Sequence, residues 1–556
     1  MHPGTQWVQA APCSYLSFSH TCMTYDILYC LPQEILGAIF ERLTFRERIR
    51  CMSLSQHWRA WLQSSPHLLW QDISDMHCDL VLNLAPYSTF FKAQHVKRVH
   101  LTEYSNIERQ MAAASFFVKS GCSSIKILDI PCHDNMMIPD VKALINLSRN
   151  TLVDLTMRCI IDECLIPTVM ATCPKLHTFR YHHRFTSRNS YSQSSINLQS
   201  IHTQPQLQIM HHHHLAEFVL DATIYLSDAA TLVTLMPNLE RIRLHICNTR
   251  REGDGVVFDD VGLILDVMNS HCPRMKNIQL GGTGTRSTFT SFAKTSTSGL
   301  CELSIETAEG LHDKHVVPLI LHHHTTLQVL HTRSSYSSST SSSIPTSQQR
   351  RRPSPKSIMQ CLASAPYPNL RDLRMNFMWD TYNNYDGNQD LVRMIGNAQQ
   401  LESIRFCVSE QSSRLVNDAL FDTLAQLVHL RSLNLQGGNH CELLSPDSLI
   451  RWARHGRFSC MQQLHLPGLS QAITNQVLDA ITDRMAQDLI VFDIERAHLV
   501  TDDALRRFTD KIVATTSMHQ TQAALTWLNL TECTGITKKT IRYAHQRLGP
   551  HVTIFS

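Results

Sequence analysis

Residues 430–435 read LRSLNL, and this six-residue pattern decides how the chain folds. Apolar residues stand at its first, fourth and sixth positions. The clearest copies begin at Leu152, Leu239, Met275, Leu370, Leu401, Leu430, Met461, Leu489 and Leu525, and weaker ones at Val96, Ile125, Leu176, Leu215, Leu300 and Leu327. From Leu401 onward the steps between copies are 29, 31, 28 and 36 residues. A strand motif recurring at this period predicts a solenoid of stacked repeats.

Each copy also predicts which side chains are buried. Alternate side chains of a strand point to opposite faces. The fourth and sixth positions therefore face the core, and the third, fifth and seventh face outward. We expect neighbouring strands to pair in parallel while the intervening helices cover the other side of the sheet. The sequence thus predicts an α/β solenoid over residues 90–556, with a curved parallel sheet inside and helices outside.

A different pattern precedes the repeats, in the stretch LPQEILGAIFERL at residues 31–43. Pro32 suits the first turn of a helix. Apolar residues then fall on one helical face, namely Ile35, Leu36, Ile39, Phe40 and Leu43. Thr44 and Ser55 can cap a second and a third helix. A unit of this size has little core of its own, so a neighbouring domain or a partner must cover its apolar surface.

The order of these residues resembles an F-box. That family follows Leu-Pro-x-Glu-(Ile/Leu)-Leu with a second apolar helix, then Val-Ser-x-x-Trp-Arg and a distal Trp. The matching positions are Leu31, Pro32, Glu34, Ile35, Leu36, Ile39, Leu43, Ile49, Leu54, Ser55, Trp58, Arg59 and Trp70. Leu54 replaces the usual Val, and Arg48-Ile49 replaces a pair that is commonly aliphatic.

The resemblance implies docking onto the Skp-family adaptor and, through it, onto a cullin–RING ligase of the SCF type. The residues implied in adaptor binding are Leu31, Pro32, Ile35, Leu36, Ile39, Leu43, Ile49, Leu54 and Trp58. We assign residues 27–75 to this F-box-like domain and expect residues 1–26 to be a flexible N-terminus.

The repeats resemble leucine-rich repeats, and those in the C-terminal half resemble the cysteine-containing subtype. In that subtype the strand is followed by Cys-x-x-Ile-Thr-Asp-x-x-Leu. The last unit matches at Cys533, Ile536, Thr537 and Ile541, and the preceding one at Val500, Thr501, Asp502 and Leu505, with Ala497 in place of Cys. The Cys is expected to be a small buried apolar group, and the Thr-Asp pair to cap the following helix.

Three polar segments interrupt the predicted solenoid, at about 184–214, 281–299 and 331–357. They are rich in Ser, Thr, Gly or Gln, and surface loops between repeats tolerate such insertions. We expect these inserts to be disordered. The third contains Arg350-Arg351-Arg352 followed by Pro353-Ser354-Pro355, which is either a regulatory segment or a solvated linker.

Composition excludes several classes of function. The 556 residues are 43% hydrophobic, and their net charge of +3 gives no strong attraction to nucleic acid or anionic membranes. No apolar run reaches the roughly 18 residues of a membrane span, and the N-terminus lacks the pattern of a signal peptide. The 18 scattered cysteines fit free thiols in a reducing compartment. We therefore expect an intracellular protein, cytoplasmic or nuclear, without nucleic-acid or membrane partners.

No motif predicts catalysis, and no cofactor is expected. The sequence contains no nucleophile elbow, no phosphate-binding glycine loop and no His-Glu-x-x-His. Histidines cluster at His182-His183, His211–His214 and His322–His324. Adjacent histidines in one run do not converge on a tetrahedral metal, and no Cys/His spacing supplies further ligands. We expect no metal site.

The remaining candidate surface is the concave face of the sheet, where solenoids bind extended partners. Its candidate target-binding residues are Arg241, Arg243, His245, Arg374, Arg405, Asn434, His465, Asp493, Glu495 and Trp527. They predict a basic-to-polar middle and an acidic end, with Trp527 as a possible anchor.

The sequence thus favours a non-catalytic substrate receptor of an SCF-type ubiquitin ligase with an unidentified protein target. The alternative is a leucine-rich-repeat scaffold whose N-terminal helices only cap the solenoid.

Overall fold

The computed structural model describes most of the chain in thirteen ranges. These are residues 27–75, 90–101, 107–160, 164–183, 211–247, 262–282, 299–306, 313–332, 355–377, 388–408, 415–436, 443–519 and 525–556. Within them, five short helices precede a 17-stranded parallel sheet whose strands are interleaved with longer helices. The mixed α/β solenoid predicted from the repeats is confirmed.

The first five helices form an N-terminal unit. They are α1 Ile27–Cys30, α2 Gln33–Arg42, α3 Phe45–Met52, α4 Gln56–Ser64 and α5 Pro66–Trp70. Thr44 caps α3 in a capping box, since its hydroxyl accepts the N–H of Glu47 and the Glu47 carboxylate accepts the N–H of Thr44 at 2.7 Å. The Ser55 hydroxyl caps α4 by accepting the N–H of Trp58 at 3.1 Å. Both caps were predicted from sequence.

The strands of the sheet are short. They are β1 Asp72–Asp75, β2 Arg98–Leu101, β3 Ile127–Cys132, β4 Asp154–Cys159, β5 Thr178–His183, β6 Glu217–Tyr225, β7 Arg241–Cys247, β8 Asn277–Gly282, β9 Glu302–Glu306, β10 Val329–Thr332, β11 Asp372–Phe377, β12 Ser403–Val408, β13 Ser432–Gln436, β14 Gln463–His465, β15 Val491–Asp493, β16 Trp527–Asn529 and β17 Thr553–Phe555. Each pairs in parallel with the next strand in sequence, from β1–β2 to β16–β17.

Helices alternate with most of these strands. They are α6 Ile107–Lys119, α7 Ile138–Leu147, α8 Ile166–Thr172, α9 Leu226–Thr234, α10 Gly262–His271, α11 Asp313–His322, α12 Pro355–Ser364, α13 Asn388–Gly396, α14 Asp418–Leu424, α15 Pro446–His455, α16 Asn475–Met485, α17 Asp502–His519 and α18 Lys538–Leu548. Two short 3₁₀ helices span Ala93–His95 and Asn135–Met137.

The strand register places one apolar residue of each strand in a continuous buried row. It includes Leu373, Ile404, Leu433 and Leu464, which are Cα partners across β11–β14 and are fully buried. Burial of each such side chain contributes about 1.5–3 kcal/mol. A single hydrophobic core therefore extends from Phe40 in α2 to Val552 before β17.

The helix starts of the C-terminal repeats are joined across repeats. The Asp418 carboxylate in α14 accepts the N–H and hydroxyl of Ser445, both at 2.8 Å. Asp502 in α17 binds Thr537 in the same way, at 2.7 and 2.8 Å. The prediction that the Thr-Asp pair caps its own helix is therefore wrong for Asp502. Its carboxylate holds the residue preceding the next helix, since stacking brings successive helix starts together.

The N-terminal unit is joined to the sheet by a buried cation and by aromatic rings. Arg48 in α3 donates from Nη1 to the carbonyl of Leu68 at 2.8 Å and from Nη2 to the carbonyl of Asp72 in β1. The ring of Trp70 lies 5.1 Å from that of Phe91, and its indole N–H donates to the carbonyl of Phe90. The unit and the first repeats consequently share one core.

The predicted inserts lie mostly outside the described residues, but their edges belong to ordered structure. Gly281 and Gly282 end β8, His331 and Thr332 end β10, and Pro355 begins α12. His212 is buried next to β6. The boundaries drawn from composition were therefore too wide, since polar strand ends resemble loop sequence.

Candidate protein-interaction surfaces

The N-terminal unit leaves apolar side chains exposed. Ile35 and Ile39, one turn apart on α2, are 49% and 39% exposed, and Leu54, between α3 and α4, is 65% exposed. The next residue after Ile35, Leu36, is only 2% exposed. The aliphatic residues of this unit thus divide between a buried set and a set in contact with solvent.

The other residues implied in adaptor binding are exposed or half-buried. Pro32 is exposed at the start of α2, while Leu31, Leu43, Ile49 and Trp58 are half-buried. Trp58 packs against the buried ring of Phe40, with ring centroids 5.6 Å apart. Leu36 is buried beside the exposed Ile35. The adaptor-binding role of all nine residues stays a prediction.

The outward strand positions form what we call the polar face of the sheet. Its central row runs through successive strands from β7 to β17 as Arg243, Gln279, Ser304, His331, Arg374, Arg405, Asn434, His465, Asp493, Asn529 and Phe555. Arg241 and Trp527 belong to the adjacent row, and His245 and Glu495 follow on the carboxyl-terminal side. The register thus brings nine of the ten candidate target-binding residues onto one face, and Glu495 follows two residues after β15. The binding role of all ten is a prediction.

The arginines in the first part of the polar face are engaged by carboxylates. Arg180 lies 2.8 Å from Glu217, which also lies 3.2 Å from Arg241. Arg158 is 2.7 Å from Asp129. Of the basic residues that the sequence predicted for the middle of the sheet, Arg241 is thus paired with Glu217.

Polar side chains on β7–β9 and β11 are also paired with one another. Arg243 donates from Nε to Gln279 at 2.7 Å, and Asn277 donates to Glu302 at 2.8 Å. Glu302 also accepts from Gln279, and Asn277, Gln279 and Glu302 are buried. Arg374 lies 2.9 Å from Asp372.

Asp372 shows how these neighbours act on a carboxyl group. Burial alone would raise its pKa. The hydrogen bond from His331, at 3.0 Å, and the charges of His331 and Arg374 outweigh burial and hold the pKa of Asp372 below its usual value. The carboxylate is therefore fixed in its charged form by groups of the same face.

Arg405 differs from these arginines. It is exposed in β12, and within the described residues no carboxylate lies within ion-pair distance of its guanidinium. The amide oxygen of its neighbour in the row, Asn434, is buried without a hydrogen-bond partner in the same part of the chain. Of the four concave-face arginines, Arg405 alone carries an uncompensated charge among these described neighbours.

The last strands carry an aromatic and acidic group that we call the C-terminal patch, consisting of His465, Asp493, Glu495, Trp527 and Phe555. The rings of His465 and Trp527 are 5.7 Å apart, and those of Trp527 and Phe555 are 5.5 Å apart. Phe555 is 46% exposed. Sequence reasoning missed Phe555, although its place three residues after Val552 repeats the spacing of Asn529 after Thr526.

The histidine runs serve the fold. His212 is buried and bonds through Nε2 to the carbonyl of Met170, and burial lowers its pKa. His323 accepts the N–H of Leu300 at Nδ1, at 3.3 Å, and burial together with neighbouring His322 lowers its pKa to about 4. Across the described ranges, no group of three or more His, Cys, Asp or Glu side chains is placed to hold a metal ion.

Cys533, the cysteine of the last repeat, is likewise a structural group. Its thiol donates to the carbonyl of Ile494 at 3.2 Å, and burial raises its pKa to about 11. In the ranges covered by the structure, no helix is both long and apolar enough to cross a membrane.

Comparisons with known proteins identify one domain. Residues 28–70 match the F-box domain, which corresponds to the N-terminal unit. The crystal structure of the Rad7 and Elc1 complex in yeast contains a similar chain, with 11% sequence identity, 90% of this chain and 94% of that chain covered, and a TM-score of 0.37. A likeness at this TM-score supports no conclusion about fold or function. No curated protein matches the sequence. The chain thus consists of an F-box domain followed by an α/β solenoid.

Proposed function

We propose that this chain is the substrate-recognition subunit of an SCF-type E3 ubiquitin ligase. The N-terminal unit docks on a Skp-family adaptor and, through it, on a cullin–RING ligase, and the solenoid holds a target protein for ubiquitination and proteasomal degradation. The observation that carries the proposal is the exposure of Ile35, Ile39 and Leu54 in the unit that matches the F-box domain. Exposed aliphatic residues grouped in one small domain favour a protein partner.

The chain itself acts without catalysis in this proposal. The solenoid is a leucine-rich-repeat domain, of the cysteine-containing subtype in its C-terminal half, and it presents the target to a ubiquitin-charged enzyme elsewhere in the complex. The buried thiol of Cys533 and the repeated strand register support this assignment. A shared core between the N-terminal unit and the first repeats would keep the adaptor and the target at a fixed separation.

The test is a pull-down of the full-length chain with a purified Skp-family adaptor. The variant Ile35→Ala/Ile39→Ala/Leu54→Ala removes exposed side chains, so its fold is expected to stay intact. A matched control is Leu499→Ala, whose side chain is 50% exposed in the solenoid. We expect the triple variant to lose the adaptor and the control to retain it. Equal recovery by both variants, or recovery by neither wild type nor control, would refute the docking claim.

The second candidate is a leucine-rich-repeat scaffold in which the N-terminal helices only cap the solenoid. It is favoured by the hydrogen bond from Arg48 to the carbonyl of Asp72 and by the burial of Leu36. A scaffold predicts that the triple variant binds its partners as the wild type does and that no adaptor is recovered. The same pull-down therefore separates the two functions.

A further inference from the structure

The C-terminal patch differs from the rest of the polar face in how its carboxylates are neutralised. In the earlier strands, Asp129, Glu217 and Asp372 each lie within 3.0 Å of an arginine. In the patch, Asp493 lies 3.3 Å from His465 and accepts the N–H of Glu495 at 3.1 Å. A histidine and a backbone N–H, instead of an arginine, thus hold the carboxylate of Asp493 in place.

Glu495 is the more available of the two acidic groups. Its carboxylate is half-buried, 3.6 Å from Arg496 and 3.5 Å from the amide of Asn529. Arg496 binds Glu532 more closely, at 2.7 Å. The carboxylates of Glu495 and Glu532 thus share one guanidinium, and Asp493 is paired with the imidazole of His465. Among these groups, carboxylates outnumber guanidinium groups by three to one.

Aromatic side chains lie on the same strands of the polar face. Trp527 is the neighbour of Val491 in β15, two residues before Asp493, and its ring continues to the exposed ring of Phe555. A cation held over a tryptophan face is attracted by the negative face of the ring, and a carboxylate within reach adds a charge-assisted hydrogen bond. Aromatic rings on the same face as carboxylates that outnumber their guanidinium partners are complementary to a basic side chain on an apolar stem.

We propose that the C-terminal patch binds a Lys or Arg side chain from an extended segment of another protein. The cationic head bonds Glu495, and the aliphatic stem lies across Trp527 and Phe555. That this segment belongs to the ubiquitination target rests on the proposed function, whereas the preference for a basic residue rests on the patch alone.

The test begins with a randomised 12-residue peptide library selected on the full-length protein. A selected peptide is then titrated by fluorescence anisotropy. We expect selected peptides to carry Lys or Arg, and replacement of that residue by Gln to weaken binding about tenfold. Trp527→Ala should cost about tenfold, and Glu495→Gln about fivefold at low salt. Trp527→Ala could lose binding because it misfolds. Glu495→Gln provides an independent test, because the Glu495 side chain is only half-buried and its replacement is not expected to disturb the fold.

The charge control is Asp503→Asn, which removes one negative charge from α17 and is expected to leave peptide binding unchanged. Enrichment of acidic or purely apolar peptides, or an equal loss with Asp503→Asn, would overturn the inference. So would a doubled mass in sedimentation that Trp527→Ala abolishes, since the patch would then join two copies of the chain. Adaptor pull-down of the same variants tells the two proposals apart. Peptide binding without adaptor binding refutes only the ligase role, and adaptor binding without basic peptides refutes only this inference.

Discussion

In the N-terminal unit, Ile35, Ile39 and Leu54 remain in contact with solvent, whereas the first inward residue of each strand from β1 to β16 is buried. Both regions are rich in Leu and Ile, and both use them at regular spacing. The solenoid buries the inward aliphatic residues of its strands because each repeat covers the next. The five short helices have no such series of neighbours, and their exposed residues are available to another protein.

The largest expected effect tests the exposed set. Ile35→Ala/Ile39→Ala/Leu54→Ala should weaken adaptor binding on the order of 1000-fold, about 4 kcal/mol, because buried aliphatic anchors dominate protein interfaces. Calorimetric titration against a Skp-family adaptor measures the loss. The free energy of unfolding should change little, since these side chains already contact water. A strongly destabilised triple variant would show that they belong to the core.

The second-largest expected effect tests the buried inward residues of the solenoid strands. Leu433→Ala in β13 should lower the free energy of unfolding by about 3 kcal/mol, because it leaves a cavity between neighbouring repeats. Chemical denaturation followed by circular dichroism checks this value. Val428→Ala, at an exposed position before the same strand, should change it by less than about 0.5 kcal/mol. Similar losses in the two variants would contradict the assigned register.

A third prediction concerns the junction between the two regions. Arg48→Met keeps most of the side-chain volume but removes the donors to Leu68 and Asp72. We expect a loss of about 1–3 kcal/mol, because the buried carbonyl of Leu68 loses its partner. Hydrogen exchange should show reduced protection in α5 and β1. Arg50→Met, on an exposed part of α3, is the control, and equal protection in the two variants would mean that Arg48 does not join the regions.

The smallest expected effect is a dependence of the free energy of unfolding on pH, caused by His323 in the solenoid. The pKa of His323 is lowered from 6.5 to about 4, so the unfolded chain binds more protons in this interval. The free energy of unfolding should therefore fall as the pH decreases from 6.5 towards 4. His323→Asn keeps an acceptor for the N–H of Leu300 but does not titrate, and its free energy of unfolding should fall less over this interval. His429→Asn, at an exposed position, should behave as the wild type, and identical slopes in all three would refute the prediction.

Sequence reasoning predicted the C-terminal repeats best. The spacing of the copies of LRSLNL predicts the register of β12–β16. Thr44 and Ser55 predict where the helices that they cap begin. The pairing of Arg241 with Glu217 was not predictable, because the two residues meet only through the register of β6 and β7. Apart from the copy at Leu152, the motif is weak before Leu239, so the partners on the polar face could not be assigned. In the sequence, Arg48 was only a departure from the F-box pattern. Its role in joining the N-terminal unit to the sheet could not be predicted, because its partners are the carbonyls of Leu68 and Asp72, 20 and 24 residues further along the chain.

The sequence by itself determined the period of the repeats, the inward residues of their strands and the starts of α3 and α4, because these depend on local spacing and on caps. It predicted three N-terminal helices where the structure has five within residues 27–75. Only the tertiary structure decided which charges are neutralised. Arg374 meets Asp372 within its own strand, Arg241 meets Glu217 across two strands, and Arg405 meets no carboxylate among the described residues. It also decided that Leu36 is buried while Ile35 is exposed. Helical spacing defines an apolar face, but the neighbours that cover each side chain are fixed only when the elements pack.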